Sequence, residues 1–182
     1  MIQKSEWVRI IKFIIGGIAV GFSGYRFLTI VNTSPFWVTH PGIAVLVIGS
    51  VNILKGILSK GDSKMTRTIE TSIGIIGIIM GLFVKAYITD TSSMLTWFIF
   101  LFLIIQGVGF IATGITQSGK AKATRIPKIV IGASIIAILT GMFFVYHDLP
   151  IRLLTILLSI NIFIIGIEII TGAISHKIVK RS

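Results

Sequence analysis

The sequence contains no cysteine, and this absence removes several kinds of chemistry at once. Without a thiol the chain can form no disulfide, carry no thiolate nucleophile and offer no cysteine ligand to a metal ion. Charged residues are also scarce, since they make up only 13% of the chain and just six residues are acidic. A soluble domain of 182 residues with so few charges would leave too much apolar area facing water.

Signatures of catalysis and of metal binding are missing as well. The sequence has no phosphate-binding loop, nucleophile elbow or dinucleotide-binding fingerprint, so we predict neither an enzyme nor a cofactor. Two of the three histidines, His40 and His147, fall on the same predicted side of the membrane, but no HExxH motif or close histidine spacing exists. We therefore predict no catalytic residue and no metal site.

Long apolar segments are what the sequence has in abundance. Hydrophobic residues make up 54% of the chain, and the mean hydropathy is +0.98. A helix needs roughly 17–25 apolar residues to cross a bilayer. Six segments reach this length, at about residues 9–31, 42–59, 69–88, 94–116, 127–146 and 151–175. The predicted fold class is an all-α membrane protein with six transmembrane helices, in a single domain that covers residues 1–182.

The six segments belong to a 58-residue unit that occurs three times without a gap, at residues 9–66, 67–124 and 125–182. Three sets of residues coincide in this register: Arg9, Arg67 and Arg125; Gly16, Gly74 and Gly132; and Gly56, Gly114 and Gly172. Each unit holds two apolar segments, which indicates a helical hairpin, and all three hairpins enter the membrane with the same polarity. We predict a closed bundle of three parallel hairpins with pseudo-threefold symmetry.

Basic residues are distributed unevenly between the two predicted sides of the membrane. All but three of the 17 basic residues fall near the termini or around the loops after the second and fourth segments. The exceptions are Arg26, Lys85 and Arg152. Short cytoplasmic loops carry an excess of Lys and Arg, so we predict a plasma-membrane protein with both termini in the cytoplasm. The net charge of +11 then reflects topology and attraction to the lipid bilayer, and it argues against nucleic acid as a partner.

Small residues recur at four-residue spacing along the first helix of every unit. They are Gly17 and Gly21, Gly77 and Gly81, and Ala133, Ala137 and Gly141. In lipid, such stripes let helix backbones approach closely. Because all three units share the stripe, we interpret it as helix packing inside the bundle, with a dimerisation face as the alternative.

Glu168 lies within the sixth apolar segment, about two turns from its cytoplasmic end. A carboxylate at this depth is costly unless it is paired or protonated, which makes it a candidate for function. Spacings of seven and three residues place Asn161, Glu168 and Thr171 on one helical face. The 58-residue register aligns Asn52 with Glu168 and Lys55 with Thr171, so we predict that Lys55 pairs with Glu168. The pair is interpreted as a structural contact, and a proton or ion site is the alternative.

The same register aligns Lys12, Glu70 and Lys128 at the cytoplasmic ends of the first helices of the units. Around a threefold axis these residues would form a Lys–Glu–Lys network, and the alternative is solvated charge at the membrane interface.

Aromatic residues cluster toward the outer half of the fourth and fifth helices: Trp97, Phe98, Phe143 and Phe144. They would serve either as anchors at the membrane interface or as a contact surface for a neighbouring subunit.

Each unit opens with a basic residue and an Ile-Gly step and closes with a Gly-Ile or Gly-Ala step. The steps are Ile15-Gly16, Ile73-Gly74 and Ile131-Gly132, followed by Gly56-Ile57, Gly114-Ile115 and Gly172-Ala173. Three tandem membrane hairpins of this kind resemble the HdeD-like family of membrane proteins. The resemblance implies a protein built of short membrane repeats, linked by the family name to bacterial acid resistance, and it implies no catalytic residues.

We therefore expect a non-catalytic polytopic membrane protein that acts as a structural or accessory subunit of a larger membrane complex. Other integral membrane subunits would be its partners, and a membrane oxidoreductase such as a monooxygenase or respiratory assembly is one possible host. The alternative is a small proton or ion channel, or an acid-stress membrane protein, that uses Glu168.

Overall fold

The computed structural model describes residues 4–31, 41–59, 62–87, 93–117, 122–145 and 151–178. Within these ranges it contains no β-strand and six α-helices: α1 (Lys4–Val31), α2 (Pro41–Leu58), α3 (Lys64–Tyr87), α4 (Ser93–Thr116), α5 (Lys122–Val145) and α6 (Ile151–Ile178). The helices are 18 to 28 residues long, and each is apolar enough to cross a membrane. The prediction of an all-α fold is confirmed, with six helices that are long and apolar enough to span a membrane.

Local sequence signals explain where two of the helices begin. The backbone N–H of Thr66 donates to Ser63 Oγ at 3.1 Å, so Ser63 caps the first turn of α3. Helix α2 begins at Pro41, a position where the missing N–H of proline has no intrahelical partner to lose.

The helices fall into an inner and an outer set. Helices α2, α4 and α6 contact one another, and 50% to 56% of the residues in their spanning segments are buried. In α1, α3 and α5 the buried share is only 17% to 33%. The inner helices therefore supply most of the core, and the outer helices leave most of their surface for lipid or for a partner.

The closest helix pairs join two different units rather than the two helices of one unit. Helix α2 packs on α3, α4 packs on α5, and α6 packs on α1, each pair running antiparallel. The last helix thus returns to the first, so the hairpins do not form an open row.

Two glycines face each other where each of these close pairs crosses. The facing pairs are Gly49 and Gly74, Gly107 and Gly132, and Gly166 and Gly16. At Gly74, for example, an added Cβ atom would lie 2.7 Å from Gly49 O, closer than carbon and oxygen can approach. The glycines are therefore required for the close approach of the two backbones.

The predicted stripe of small residues lies only partly in these interfaces. Gly77 and Gly81 are buried against α2, as predicted. The other five members face outwards: Gly17, Gly21, Ala133, Ala137 and Gly141. Their assignment to packing inside the bundle is wrong, because α1 and α5 bury the face that contains Gly16 or Gly132. That face is rotated by about 100° from the outward glycine and alanine stripe.

Helix α6 departs from the 58-residue register by one residue. A step of 58 residues from Gly107 leads to Ile165, but the glycine that faces α1 is Gly166. Gly172 accordingly faces outwards with no atom within 4 Å of an added Cβ, and Ala173 is buried in its place. The predicted equivalence of the three rear glycines therefore fails in the third unit.

Candidate functional site

Four charged side chains from four helices meet inside the bundle, and we call this group the ion cluster. Its members are Lys55 of α2, Glu70 of α3, Lys128 of α5 and Glu168 of α6. Lys55 Nζ lies 2.9 Å from Glu70 Oε1 and is hydrogen-bonded to Glu168 Oε2. Lys128 Nζ forms an ion pair with Glu168 Oε1 and lies 3.9 Å from Glu70 Oε1. Two cations therefore meet two anions, and the formal charges cancel.

The ion cluster lies within the membrane-spanning segments and is mostly shielded from the surroundings. The side chains of Lys55, Glu70 and Lys128 are at most 10% exposed, and that of Glu168 is 22% exposed. A charge removed from water is stabilised only by close opposite charges and hydrogen bonds. The cluster therefore ties together four helices, and removal of one member would leave an uncompensated charge among them.

The glycine crossings set the depth at which the cluster forms. Glu70 and Lys128 each lie four residues before the glycine at which their helix crosses its neighbour, which is Gly74 in α3 and Gly132 in α5. Both side chains are thus about one helical turn, roughly 6 Å, from the crossing and at the same level. The flexible side chain of Lys55 reaches this level from α2.

The structure brings together residues that the sequence predicts in two separate groups. Lys55 and Glu168 form the predicted ion pair, and Glu70 and Lys128 of the predicted Lys–Glu–Lys set join it. Lys12, the third member of that set, is half-buried on α1. The sequence register did not show that the two groups would merge, because it gives depth along the helices but not which helices are neighbours.

Thr171 does not belong to the ion cluster. Its side chain is exposed, and its hydroxyl donates to the backbone oxygens of Ile167 and Glu168 at 3.0 Å. The prediction that Thr171 shares a helical face with Asn161 and Glu168 is wrong. The buried face of α6 contains Ile165, Ile169 and Ala173 instead.

Three amide side chains are buried on the inner helices. Asn52 of α2 is 5% exposed, Gln106 of α4 is 3% exposed and Asn161 of α6 is 1% exposed. Among the described residues, neither polar atom of Asn161 has a hydrogen-bond partner, and the same holds for Asn52 Nδ2 and Gln106 Nε2. Asn52 and Asn161 were predicted as intramembrane polar residues, and Gln106 was not. The signal for Gln106 is that it is a single amide within a long apolar segment.

Arg26 was also missed as a buried residue. Its place in the sequence predicts a position near the outer side of the membrane, and in the structure its side chain is fully buried on α1. It lies three residues after Ser23 and seven after Ala19, both of which are buried on the same face. This helical spacing could have predicted the burial of Arg26, because it continues the buried face of α1 that begins at Gly16.

Two of the three repeated arginines make the same hydrogen bond. Arg67 Nε donates to Gly56 O at 2.9 Å, and Arg125 Nε donates to Gly114 O at 3.2 Å. Each bond satisfies a carbonyl in the last turn of an inner helix and ties that helix to the next outer one. This contact gives the repeated Arg and Gly positions a structural role.

Aromatic rings of α4 and α5 form a partly exposed group that we call the aromatic surface: Trp97, Phe100, Phe143 and Phe144. The ring centroids of Trp97 and Phe143 are 5.9 Å apart, and those of Phe143 and Phe144 are 5.7 Å apart. Phe144 is 79% exposed and Trp97 is 50% exposed. Phe98, predicted with this group, stacks instead on Phe83 of α3 at 5.2 Å.

The described residues contain no group of three or more His, Asp or Glu side chains that could hold a metal ion. His40 and His147 lie outside the described residues. Comparison of the chain with protein-family models, curated proteins and solved structures finds no match in any of the three.

Proposed function

We propose that this chain is a non-catalytic multi-pass protein of the plasma membrane that serves as a structural or accessory subunit of a larger membrane complex. The observation that carries the proposal is the aromatic surface, in which neighbouring rings of the inner helix α4 and the outer helix α5 remain partly exposed. Large, rigid aromatic side chains bury much area at little entropic cost, which suits them to contacts between subunits. The partner would be another integral membrane protein with an apolar face.

The ion cluster supports a structural role for the charged residues inside the bundle. Each of its two lysines has a carboxylate oxygen within 2.9 Å, so the cluster needs no external ion to balance its charge. Glu168 acts in this proposal as the link between α2 and α5, since it contacts both lysines. A rigid bundle would present the aromatic surface in a fixed geometry.

We further propose that the three hairpins are related by an approximate threefold axis along the membrane normal, with both termini and the ion cluster toward the cytoplasm. The three glycine crossings and the matching bonds of Arg67 and Arg125 support the symmetry. The uneven distribution of basic residues supports the orientation. Membership of the HdeD-like family and an oxidoreductase as host complex remain proposals that rest on the sequence alone.

Native electrophoresis after extraction in mild detergent tests the proposed function. The chain of 19.9 kDa should migrate well above its own mass together with other membrane proteins, and deleting it should reduce assembly of that complex. Phe144→Ala should release the chain, whereas Ile79→Ala, at a position 62% exposed on α3, should not. Migration of the wild-type chain on its own would contradict the proposal.

A further inference from the structure

The two helices of the third unit do not pack closely on each other. Helix α3 packs on α4 and α1 contacts α2, but among the described residues α5 has no comparable contact with α6. The two helices are joined instead by long side chains, since Lys128 of α5 forms an ion pair with Glu168 of α6. We call the space along which these two helices face each other the α5–α6 seam.

The seam is wide because the third unit lacks the two glycines that let α3 approach α4. An added Cβ at Gly77 would lie 3.0 Å from a ring carbon of α4, and one at Gly109 would collide with Ile73. A step of 58 residues from Gly77 leads to Ile135. The same step from Gly109, with the one-residue displacement of α6, leads to Glu168. Two large side chains therefore stand where a close approach of the backbones requires glycine.

The seam is open to the surroundings on the side of the ion cluster. Glu168 is the most exposed member of the cluster, at 22%. Gly172 follows it by four residues on the same edge of α6, and no atom lies within 4 Å of an added Cβ there. In the far half of the seam Ile135 and Met142, seven and fourteen residues after Lys128, are each only 9% exposed. The opening is thus confined to one half of the membrane.

The open end of the seam lies between two basic segments. The ion pair joins Lys128, near the start of α5, to Glu168, near the end of α6, so these two helix ends lie on the same side of the membrane. Residues 120–125 contain three Lys or Arg, residues 177–182 contain three more, and neither segment contains an acid. Glu168 is already balanced by Lys55 and Lys128. Basic clusters between membrane helices attract anionic lipid headgroups.

We propose that the α5–α6 seam binds one anionic phospholipid, whose phosphate lies between the two basic segments and whose acyl chain enters the open half of the seam beside Gly172. This site lies in the opposite half of α5 from the aromatic surface, so it goes beyond the proposed function and does not depend on it.

The ion pair across the seam favours a lipid over a helix of another protein. Packed helices lie 8–10 Å apart, so a helix inserted between α5 and α6 would set their axes roughly 16–20 Å apart. Its side chains would also occupy the line along which Lys128 and Glu168 meet. An acyl chain is thinner than a helix and has no backbone polar groups to satisfy, so it can fill the open half while the ion pair stays intact.

Thermal unfolding of the purified full chain in neutral detergent tests the site. Dioleoyl phosphatidylglycerol and dioleoyl phosphatidylcholine are added separately, because they share their acyl chains and differ in headgroup charge. Phosphatidylglycerol should raise the Tm by roughly 5–10 °C when it is present at about 100 times its Kd, and phosphatidylcholine should not.

Two variants locate the bound lipid in the seam. Gly172→Phe should abolish the rise, because the ring fills the open half, and the fold should tolerate it because the surroundings of Gly172 are empty. Gly17→Phe is the matched control: Gly17 is an exposed glycine of α1 with equally empty surroundings, so this variant should keep the rise.

A pair of charge variants decides the outcome if Gly172→Phe does not fold. Lys122→Gln with Lys177→Gln should remove the preference for phosphatidylglycerol, because it weakens both basic segments. Lys64→Gln with Lys85→Gln removes the same charge from exposed positions on α3 and should keep the preference.

Three results would overturn the proposal. They are an equal rise in Tm with both lipids, a rise that persists unchanged in Gly172→Phe or in the Lys122 and Lys177 double variant, and a rise that is lost in Gly17→Phe as well. A photoreactive amino acid at Gly172 gives an independent readout in whole membranes. It should form lipid adducts, and an adduct with a second membrane protein would assign the seam to a partner helix instead.

Discussion

Replacing Glu168 with glutamine should destabilise the bundle by unbalancing the ion cluster. Glu168→Gln leaves two lysines facing one carboxylate, and the carboxylate that Lys128 then retains among the described residues is Glu70, at 3.9 Å. Removing one partner of a buried ion pair costs about 3–5 kcal/mol. The low end applies here, because Lys55 retains Glu70 at 2.9 Å and Glu168 is partly exposed. A loss of about 3 kcal/mol in a chain of this size lowers Tm by roughly 6–12 °C.

Thermal unfolding in detergent, followed by circular dichroism, measures this loss. Glu6→Gln is the matched control, since Glu6 is exposed at the start of α1 and should show no resolvable change in Tm. The double variant Glu168→Gln with Lys128→Met restores charge balance and keeps the Lys55–Glu70 pair, so it should recover a large part of the lost stability. Purely additive effects of the two substitutions, or a Tm change no larger than that of Glu6→Gln, would refute a charge-balancing role for the cluster.

Two further predictions concern the helix crossings and the topology. Gly74→Ala should lower the free energy of unfolding by roughly 1–3 kcal/mol, because its Cβ would meet Gly49 O, whereas Gly17→Ala should be tolerated because nothing lies within 4 Å. An unchanged free energy of unfolding for Gly74→Ala would show that the backbones of α2 and α3 approach less closely than described. In the cysteine-free chain, Ser92→Cys should react with an impermeant maleimide on intact cells and Ser118→Cys should not, and the opposite pattern would reverse the predicted orientation.

The six helices could be predicted because the property that defines them is local. Length and apolarity alone fix a membrane span, and the observed helices lie close to the six predicted segments. The pairing of Glu168 with Lys55 could also be predicted from the sequence, because two opposite charges at similar depth in lipid have few other ways to be stabilised. Depth along a helix is thus well encoded in the sequence.

Which helix face turns inward was harder to predict. Gly16 and Gly17 are adjacent in the sequence, and both belong to series of small residues at helical spacing, yet only Gly16 contacts another helix. The choice between two faces that differ by about 100° depends on all neighbouring helices together. The one-residue displacement of α6 was equally hard to predict. A strict 58-residue repeat implies the same spacing between the two helices of every unit, so it does not show that α6 is displaced by one residue relative to α5.

Crosslinking at the aromatic surface tests the central claim, that this chain works through contact with another membrane protein. A photoreactive amino acid is placed at Phe144, which is 79% exposed, and for comparison at Ile79, which is 62% exposed on α3. After irradiation of whole membranes, Phe144 should yield an adduct well above 19.9 kDa that contains a second membrane protein, and Ile79 should yield lipid adducts only. Lipid adducts alone at both positions would contradict the claim.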